Sequence, residues 1–389
     1  MWARFSAGEM ERRHALARSL MDEHGLGALV LFGNSGVNRA NQANVAWLSN
    51  HLDLHHCYLV VPREGEAAAL FVGLLNHVPH ARELGDVPVV EWGGYRPAEK
   101  VAERLRGVRR AGLVGINAKF GLGMPYEHYL TLREQVPELV DVTAAFQRLR
   151  LVKSSEEVDW LRRAARLTDL AMLALVDAAR PGASEAELVA AAENAYRAEG
   201  GMTRISFLRS MPMDAPSGCV PAQNPASRRL ERGDVVITEL SASFWGYTGQ
   251  IHRPVFVGAE PAPEWQRLFE VAKEAYDGIV STLRPGAGEA DVVRAAGPIR
   301  AAGYEIYDDL VHGYGVDIMP PIVDRERFLA GPGGDGAAFE RGMAVVVQPN
   351  PITPDERMGL QLGALTVVTD EGAECLHQIP FEPLLAASA

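Results

Sequence analysis

The sequence predicts two domains: an α/β domain over residues 1–150, then an internally duplicated α+β domain over residues 151–389. Three observations lead to this fold class. The chain has 389 residues, which suits about two domains. In the first 150 residues, short apolar runs alternate with helical patterns. In the second part, one ten-residue segment occurs twice.

The first domain begins with a helix over residues 9–24, where Leu16, Leu20 and Met21 have helical spacing and Gly25 follows the last turn. Strands are predicted over residues 28–32, 58–61, 68–72, 87–91 and 113–116, with a helix over 97–107. Strands that alternate with helices in this way predict a mainly parallel sheet.

The second domain begins where Ser154 and the following acidic residues open a long helical pattern that runs to about residue 180. The segment 180–189, RPGASEAELV, recurs as RPGAGEADVV at 284–293, an offset of 104 residues. Downstream of each copy, a glycine (Gly233 and Gly342) precedes an apolar strand. We expect Glu239 and Gln348, the sixth residues after these glycines, to face a cleft between two related halves, where small ligands normally bind.

Composition and charge exclude several classes of protein. Lys and Arg number 38 against 50 Asp and Glu, a net charge of −12, and no basic block is present, so we expect no nucleic-acid partner. No segment approaches the roughly 18 apolar residues of a membrane span, which predicts a cytoplasmic protein without a membrane partner. Cys57, Cys219 and Cys375 lie too far apart for a C-x-x-C metal pair and are expected to be reduced.

Several motifs, in order along the chain, resemble those of the creatinase, prolidase and aminopeptidase P family. They are Leu151–Val158 at the domain junction, Gly233–Val236, Gly246-Tyr247 with Arg253, His312-Gly313-Tyr314-Gly315, Arg341–Pro349 and Val368–Glu374. The resemblance covers the whole chain. It implies a creatinase-type N-terminal domain, and for the second domain the duplicated pita-bread fold.

The metallopeptidases of this family resemble one another in five metal ligands: two aspartates, a histidine and two glutamates. In this sequence the corresponding positions hold Glu239, Gln250, Val316, Gln348 and, for the last glutamate, Gly363 or a neighbour. Hard divalent cations need several carboxylates to offset their loss of hydration. We therefore expect no metal ion and no other cofactor.

Creatinase, a metal-free member, is the nearest model for function. Its catalytic histidine corresponds to Gln223, and the glutamates that hold its guanidinium correspond to His252 and Gln348, so creatinase activity itself is not expected. These replacements favour a neutral or anionic substrate group. We therefore expect a metal-independent hydrolase that cleaves a C–N bond of a small, non-peptide metabolite bearing a carboxylate or an amide.

Strand alternation places Gln250 and His252 opposite Glu239 if the chain turns near residues 244–246. Burial would raise the pKa of Glu239, while histidine titrates near neutral pH, so we predict that Glu239 and His252 form an acid–base pair. His312 is expected beside the substrate, as the resemblance implies, and Tyr314 could donate a hydrogen bond to an oxyanion. Alternatively, Glu239 is a salt-bridged acid without a chemical role, and His312 and Tyr314 serve packing alone.

Six further residues are predicted to contact the substrate. Amides can orient an amide or carboxyl group through paired donors and acceptors, and Arg204 could anchor a carboxylate beside an apolar wall, although a solvated arginine is the simpler interpretation. The set comprises Gln223, Gln250, Arg253, Gln348, Gln361 and Arg204.

Three other functions remain open at this stage: a lyase or isomerase acting on a similar metabolite, an Xaa-Pro metallopeptidase with altered ligands, and a catalytically inactive binding protein. A metal assay and a search for turnover distinguish them. The resemblance also implies a homodimer in which the N-terminal domain borders the active site of the partner.

Overall fold

The computed structural model describes residues 2–34, 37–65, 67–116, 123–333 and 336–386. The chain divides into two compact units, Met1–Arg150 and Leu151–Ala389. Within the described ranges, no helix is both long and apolar enough to cross a membrane.

The first unit contains six α-helices and six strands among its described residues. The helices are α1 (Ala7–His24), α2 (Ala43–Ser49), α3 (Val78–Leu84), α4 (Pro97–Arg104), α5 (Tyr126–Gln135) and α6 (Thr143–Arg148). The strands are β1 (Ala28–Gly33), β2 (Cys57–Pro62), β3 (Ala69–Val72), β4 (Val89–Trp92), β5 (Arg110–Val114) and β6 (Glu138–Asp141).

These strands form one mixed sheet in the order β4-β3-β2-β1-β5-β6. The pairs β1–β5, β3–β4 and β5–β6 are parallel, and β2 runs antiparallel to both β1 and β3. Every residue of β1 is buried, because helices and loops cover both faces of the sheet. The continuous apolar run at 28–32 predicts this burial. The α/β class of the first unit is confirmed.

The second unit holds the remaining elements of the described chain. Its helices are α7 (Ser155–Ala178), α8 (Glu185–Ala198), α9 (Pro263–Thr282), α10 (Glu289–Ala295), α11 (Gly297–Ala301) and α12 (Arg325–Ala330). Its strands are β7 (Met202–Pro212), β8 (Asp234–Phe244), β9 (Tyr247–Thr248), β10 (Ile251–His252), β11 (Val255–Val257), β12 (Glu305–Ile306), β13 (Val311–Gly313), β14 (Met319–Val323), β15 (Ala344–Val347), β16 (Pro351–Ile352), β17 (Gly363–Thr369), β18 (Gly372–Cys375) and β19 (Leu384–Ala386).

The large sheet of this unit has the order β14-β13-β15-β17-β10-β8-β11-β19, with β7 and β9 also paired to β8 and β18 to β17. The two halves meet where β10 lies between β8 and β17. There Ile251 pairs with Leu240 on one side and Ala364 on the other. His252, the next residue, is therefore placed between Glu239 and Gly363.

The repeat in the sequence corresponds to a repeat in backbone geometry. Gly182 and Gly286 both have φ of 88°, a left-handed conformation that glycine adopts without steric cost. The backbone N–H of Gly182 donates to the Leu230 carbonyl at 2.8 Å, and that of Gly286 to the Phe339 carbonyl at 3.0 Å. The α8 helix begins with a capping box from Ser184 and Glu187. The duplicated α+β fold is confirmed.

Candidate active site

Glu239 is the central residue of β8, and its side chain is partly exposed in the cleft between the two halves. Its Oε1 accepts a hydrogen bond from Gln250 Nε2 at 3.0 Å. Burial raises the pKa of Glu239 to about 8, and the nearby carboxylates of Asp308 and Asp309 add to the rise. Glu239 is therefore uncharged at neutral pH and can donate a proton.

A chain of amides and imidazole extends from Glu239 into the interior. Gln250 Nε2 also lies 2.9 Å from His252 Nε2, and His252 Nδ1 lies 3.4 Å from Gln361 Oε1. An amide nitrogen only donates and an amide oxygen only accepts, so His252 carries its proton on Nδ1 and accepts at Nε2. Gln250, His252 and Gln361 are all nearly inaccessible to solvent.

The acid–base pair of Glu239 and His252 that the sequence analysis expects does not fit this geometry. Full burial lowers the pKa of His252 to about 3, and His312, Arg253 and His377 oppose a positive charge there. Gln250 Nε2 donates to both residues and joins Glu239 to the imidazole. His252 is thus a neutral residue that orients Gln250 rather than a proton donor near pH 7.

Two acids that sequence patterns did not predict, Asp308 and Asp309, are close enough to Glu239 to act on it electrostatically. Gln348 Nε2 donates to Asp309 Oδ1 at 2.6 Å, and Asn350 Nδ2 donates to Asp308 Oδ2 at 3.2 Å. Burial and the charge of Asp309 raise the pKa of Asp308, an effect that the hydrogen bond from Asn350 opposes. The signal in the sequence is a pair of adjacent acids just before the apolar strand β13.

His312 and Tyr314 are buried in the half of the second unit that also holds Asp308 and Asp309. His312 Nδ1 lies 3.3 Å from the Gly313 carbonyl oxygen, which can only accept, so Nδ1 carries the proton and Nε2 is the acceptor. The rings of His312 and Tyr314 meet edge-on, with centroids 5.1 Å apart. The hydroxyl of Tyr314 has no hydrogen-bond partner among the described residues, a state that a bound group or a water would relieve.

Arg253, predicted to contact the substrate, uses its guanidinium for backbone carbonyls instead. Its guanidinium is fully buried and donates to the backbone carbonyls of His252, Gly363, Ile379 and Pro380 at 2.8 to 3.0 Å. The ring of Phe381 lies 3.8 Å from its Cζ. Arg253 directly follows β10, and side chains of consecutive residues in an extended chain alternate in direction, which accounts for its separation from the His252 side chain. It stabilises the fold.

The other predicted substrate contacts differ in position. Gln250, Gln348 and Gln361 lie together in the cleft. Arg204 is buried at a bulge of β7, between Thr203, opposite Ala242, and Ile205, opposite Ser241. Gln223 is exposed in the segment between β7 and β8. For Arg204 and Gln223, substrate contact stays a prediction.

The side chains at the five expected ligand positions do not fit the pair of metal ions that the resemblance implies. Glu239 is the only carboxylate among them, and a Cβ at Gly363 would lie 2.5 Å from the Val347 carbonyl oxygen. Val316, at the position expected for the histidine ligand, follows β13 and is buried. The histidine that acts electrostatically on both His252 and Asp308 is His312. In the part of the chain that the structure describes, no three His, Cys, Asp or Glu side chains are arranged to hold a metal ion.

Comparison with known proteins gives matches along the whole chain. The family model "Metallopeptidase family M24" matches residues 159–370, and "Creatinase/Prolidase N-terminal domain" matches residues 13–152. An Xaa-Pro dipeptidase of Pyrococcus furiosus is 25% identical over 352 residues, 89% of this chain and 94% of the relative. A creatinase of a Bacillus species is 24% identical, over 97% and 93% of the two chains.

The fold is also found among solved structures. The prolidase of Pyrococcus horikoshii superposes with a TM-score of 0.77 at 21% identity and covers 95% of this chain and 99% of its own. These matches contradict the expected metal-independent hydrolase of a non-peptide C–N bond, because full-length relatives are Xaa-Pro dipeptidases and the matching family is one of metallopeptidases. The matched region takes up more than half of the chain, from residue 159 to residue 370, and the chain therefore belongs to metallopeptidase family M24.

Proposed function

We propose that this protein hydrolyses short peptides of the Xaa-Pro class, the substrates named for its full-length relatives. The observation in the molecule that carries the proposal is Glu239, a carboxyl group that holds its proton at neutral pH in the cleft between the two halves. Xaa-Pro bonds have a tertiary amide nitrogen, which must gain a proton before it can leave as an amine. A protonated carboxyl meets that need.

The other groups of the cleft supply the remaining parts of a hydrolysis. His312 Nε2 is an acceptor and can take a proton from the water that attacks the carbonyl carbon. The unpartnered hydroxyl of Tyr314 can donate to the carbonyl oxygen as negative charge develops on it. Glu239 then protonates the nitrogen as the C–N bond breaks. Gln250 donates to His252, which Gln361 in turn holds, and so fixes the orientation of the Glu239 carboxyl.

The two metal ions of the family would supply a polarised water and a charge for the oxyanion. The five expected ligand positions do not fit them, as described above, and no step in this proposal is assigned to a metal ion. The assay nevertheless includes added metal, since the family as a whole is one of metallopeptidases.

The test measures release of proline from Ala-Pro, Leu-Pro and Met-Pro by the full chain, as purified, with Mn²⁺ added and with a chelator. We expect at least one dipeptide to be cleaved in at least one of these conditions. Glu239→Gln should then lower kcat by about 10²- to 10⁴-fold, the usual contribution of a general acid. Glu260→Gln, at an exposed carboxyl of the same unit, is the matched control. No proline release from any dipeptide in any condition would refute the proposal.

A further inference from the structure

The two halves of the second unit are joined in the cleft by a chain of hydrogen-bonding side chains. Gln348 Nε2 donates to Asp309 Oδ1 at 2.6 Å, and Gln348 Oε1 lies 3.4 Å from Gln250 Nε2. Gln250 Nε2 in turn lies 3.0 Å from Glu239 Oε1 and 2.9 Å from His252 Nε2. The chain thus begins at a carboxylate of one half and reaches the proposed acid of the other.

The inner members of this chain do not determine its direction. An amide can turn end for end and exchange its donor for its acceptor, and a neutral imidazole can carry its proton on either nitrogen. In the observed direction, Gln250 Oε1 and Gln361 Nε2 are buried without a hydrogen-bond partner among the described residues. If both amides turned and His252 moved its proton to Nε2, each amide would again leave one atom unpaired. The number of unpaired atoms therefore favours neither direction.

The carboxylate at the outer end does favour one direction. A carboxylate oxygen accepts hydrogen bonds and cannot donate them, so Asp309 holds the Nε2 of Gln348 and leaves its Oε1 toward Gln250. That oxygen attracts the N–H groups of Gln250 and would repel its Oε1. At the inner end, the pKa of Glu239 is raised to about 8. At neutral pH, Glu239 could therefore either accept from Gln250 or donate to it.

We propose that Asp309 is a positioning residue that sets the direction of this chain through Gln348. In the observed direction, Glu239 accepts on Oε1 and keeps its proton on Oε2, where it is free for a ligand in the cleft. In the reverse direction, Gln250 Oε1 would accept that proton and withhold it from the ligand. The value of the direction for catalysis rests on the proposed function, in which Glu239 protonates the leaving nitrogen.

The position of the proton on His252 reports the direction of the chain. Nitrogen NMR of the full chain with isotope-labelled histidine identifies the protonated nitrogen at neutral pH, and His252→Ala assigns the signal by its loss. We expect the wild type to carry the proton on Nδ1. Asp309→Asn has an amide that can accept or donate, so at least about half of the molecules should carry the proton on Nε2 instead.

A second variant and a matched control accompany this measurement. Gln348→Met breaks the same link while Asp309 stays in place, and it should have the same effect even if Asp309→Asn does not fold. Asp308→Asn removes a neighbouring charge that holds Asn350 rather than Gln348, and it should leave the proton on Nδ1.

Three results would overturn the role of Asp309: a proton on Nε2 in the wild type, an unchanged proton position in Asp309→Asn or Gln348→Met, or an equal change in Asp308→Asn. The NMR measurement needs no turnover. Failure to cleave any dipeptide would therefore overturn the proposed function and leave the direction of the chain established.

Discussion

Glu239→Gln should change how the stability of the protein depends on pH. The pKa of Glu239 is raised from 4.5 to about 8 in the folded chain. Between these values, the folded state holds a proton that the unfolded state has released, so the free energy of unfolding falls as pH rises through this interval. Glutamine has the same shape and no charge, and removes this dependence.

The magnitude follows from the size of the shift. The interval from 4.5 to about 8, at about 1.4 kcal/mol per unit, corresponds to at most about 5 kcal/mol. Because the side chain is partly exposed in the cleft, screening reduces this value, and we expect about 2 to 3 kcal/mol. Asp308, Asp309, His252 and His312 surround the same cleft and are unchanged in the variant, so the difference between the two proteins isolates Glu239.

Urea unfolding at pH 5 and pH 8.5, followed by tryptophan fluorescence, measures the effect. The variant should match the wild type at pH 5 and be more stable at pH 8.5. The first unit contributes equally to both proteins, and Glu260→Gln controls for loss of an exposed carboxyl. A difference in stability that is the same at both pH values would refute the raised pKa, and with it the role of Glu239 as a proton donor.

The activity of the proposed peptidase should fall above about pH 8, where Glu239 loses its proton. Asp308→Asn should move this fall in kcat/KM to lower pH, because the negative charge of Asp308 no longer raises the pKa of Glu239. Arg253→Met should cost about 4 kcal/mol or more in a denaturant titration, since it leaves several buried carbonyls without a donor, and Arg253→Lys should not restore them. Gly363→Ala should destabilise by about 1 to 3 kcal/mol through its clash with a backbone oxygen, while Gly297→Ala, which meets nothing within 4 Å, should have little effect in the same assay.

Local patterns predicted the parts of the site that depend on one hairpin. The alternation of Gln250 and His252, and the turn before Tyr247, sufficed to bring Gln250 to Glu239 and His252 to Gln250. The same alternation argues against Arg253 as a cleft residue, since it places neighbours in a strand on opposite faces. The glycine-initiated strands of the repeat likewise predicted that Glu239 and Gln348 share a cleft.

Properties set by distant parts of the chain were not accessible from the sequence. The neutrality of His252 results from burial by several strands at once, and its usual titration near pH 6.5 gives no indication of it. Asp308 and Asp309 lie between strands β12 and β13, where no periodicity marks their orientation. The substrate class could not be predicted from such patterns either, because the replacement of metal ligands does not identify the substrate that the cleft binds.

The matching turns at Gly182 and Gly286 begin two halves that present different residues to their shared cleft, a carboxyl from Glu239 and an amide from Gln348. A fully symmetric pair of walls would receive an elongated molecule equally well in either direction. In the proposed hydrolysis, the carboxyl that protonates the leaving nitrogen lies in one wall only, so a peptide entering with its amino end reversed would present the wrong atom to that acid. The difference between the carboxyl of one half and the amide of the other thus favours one orientation of a bound peptide over the reverse.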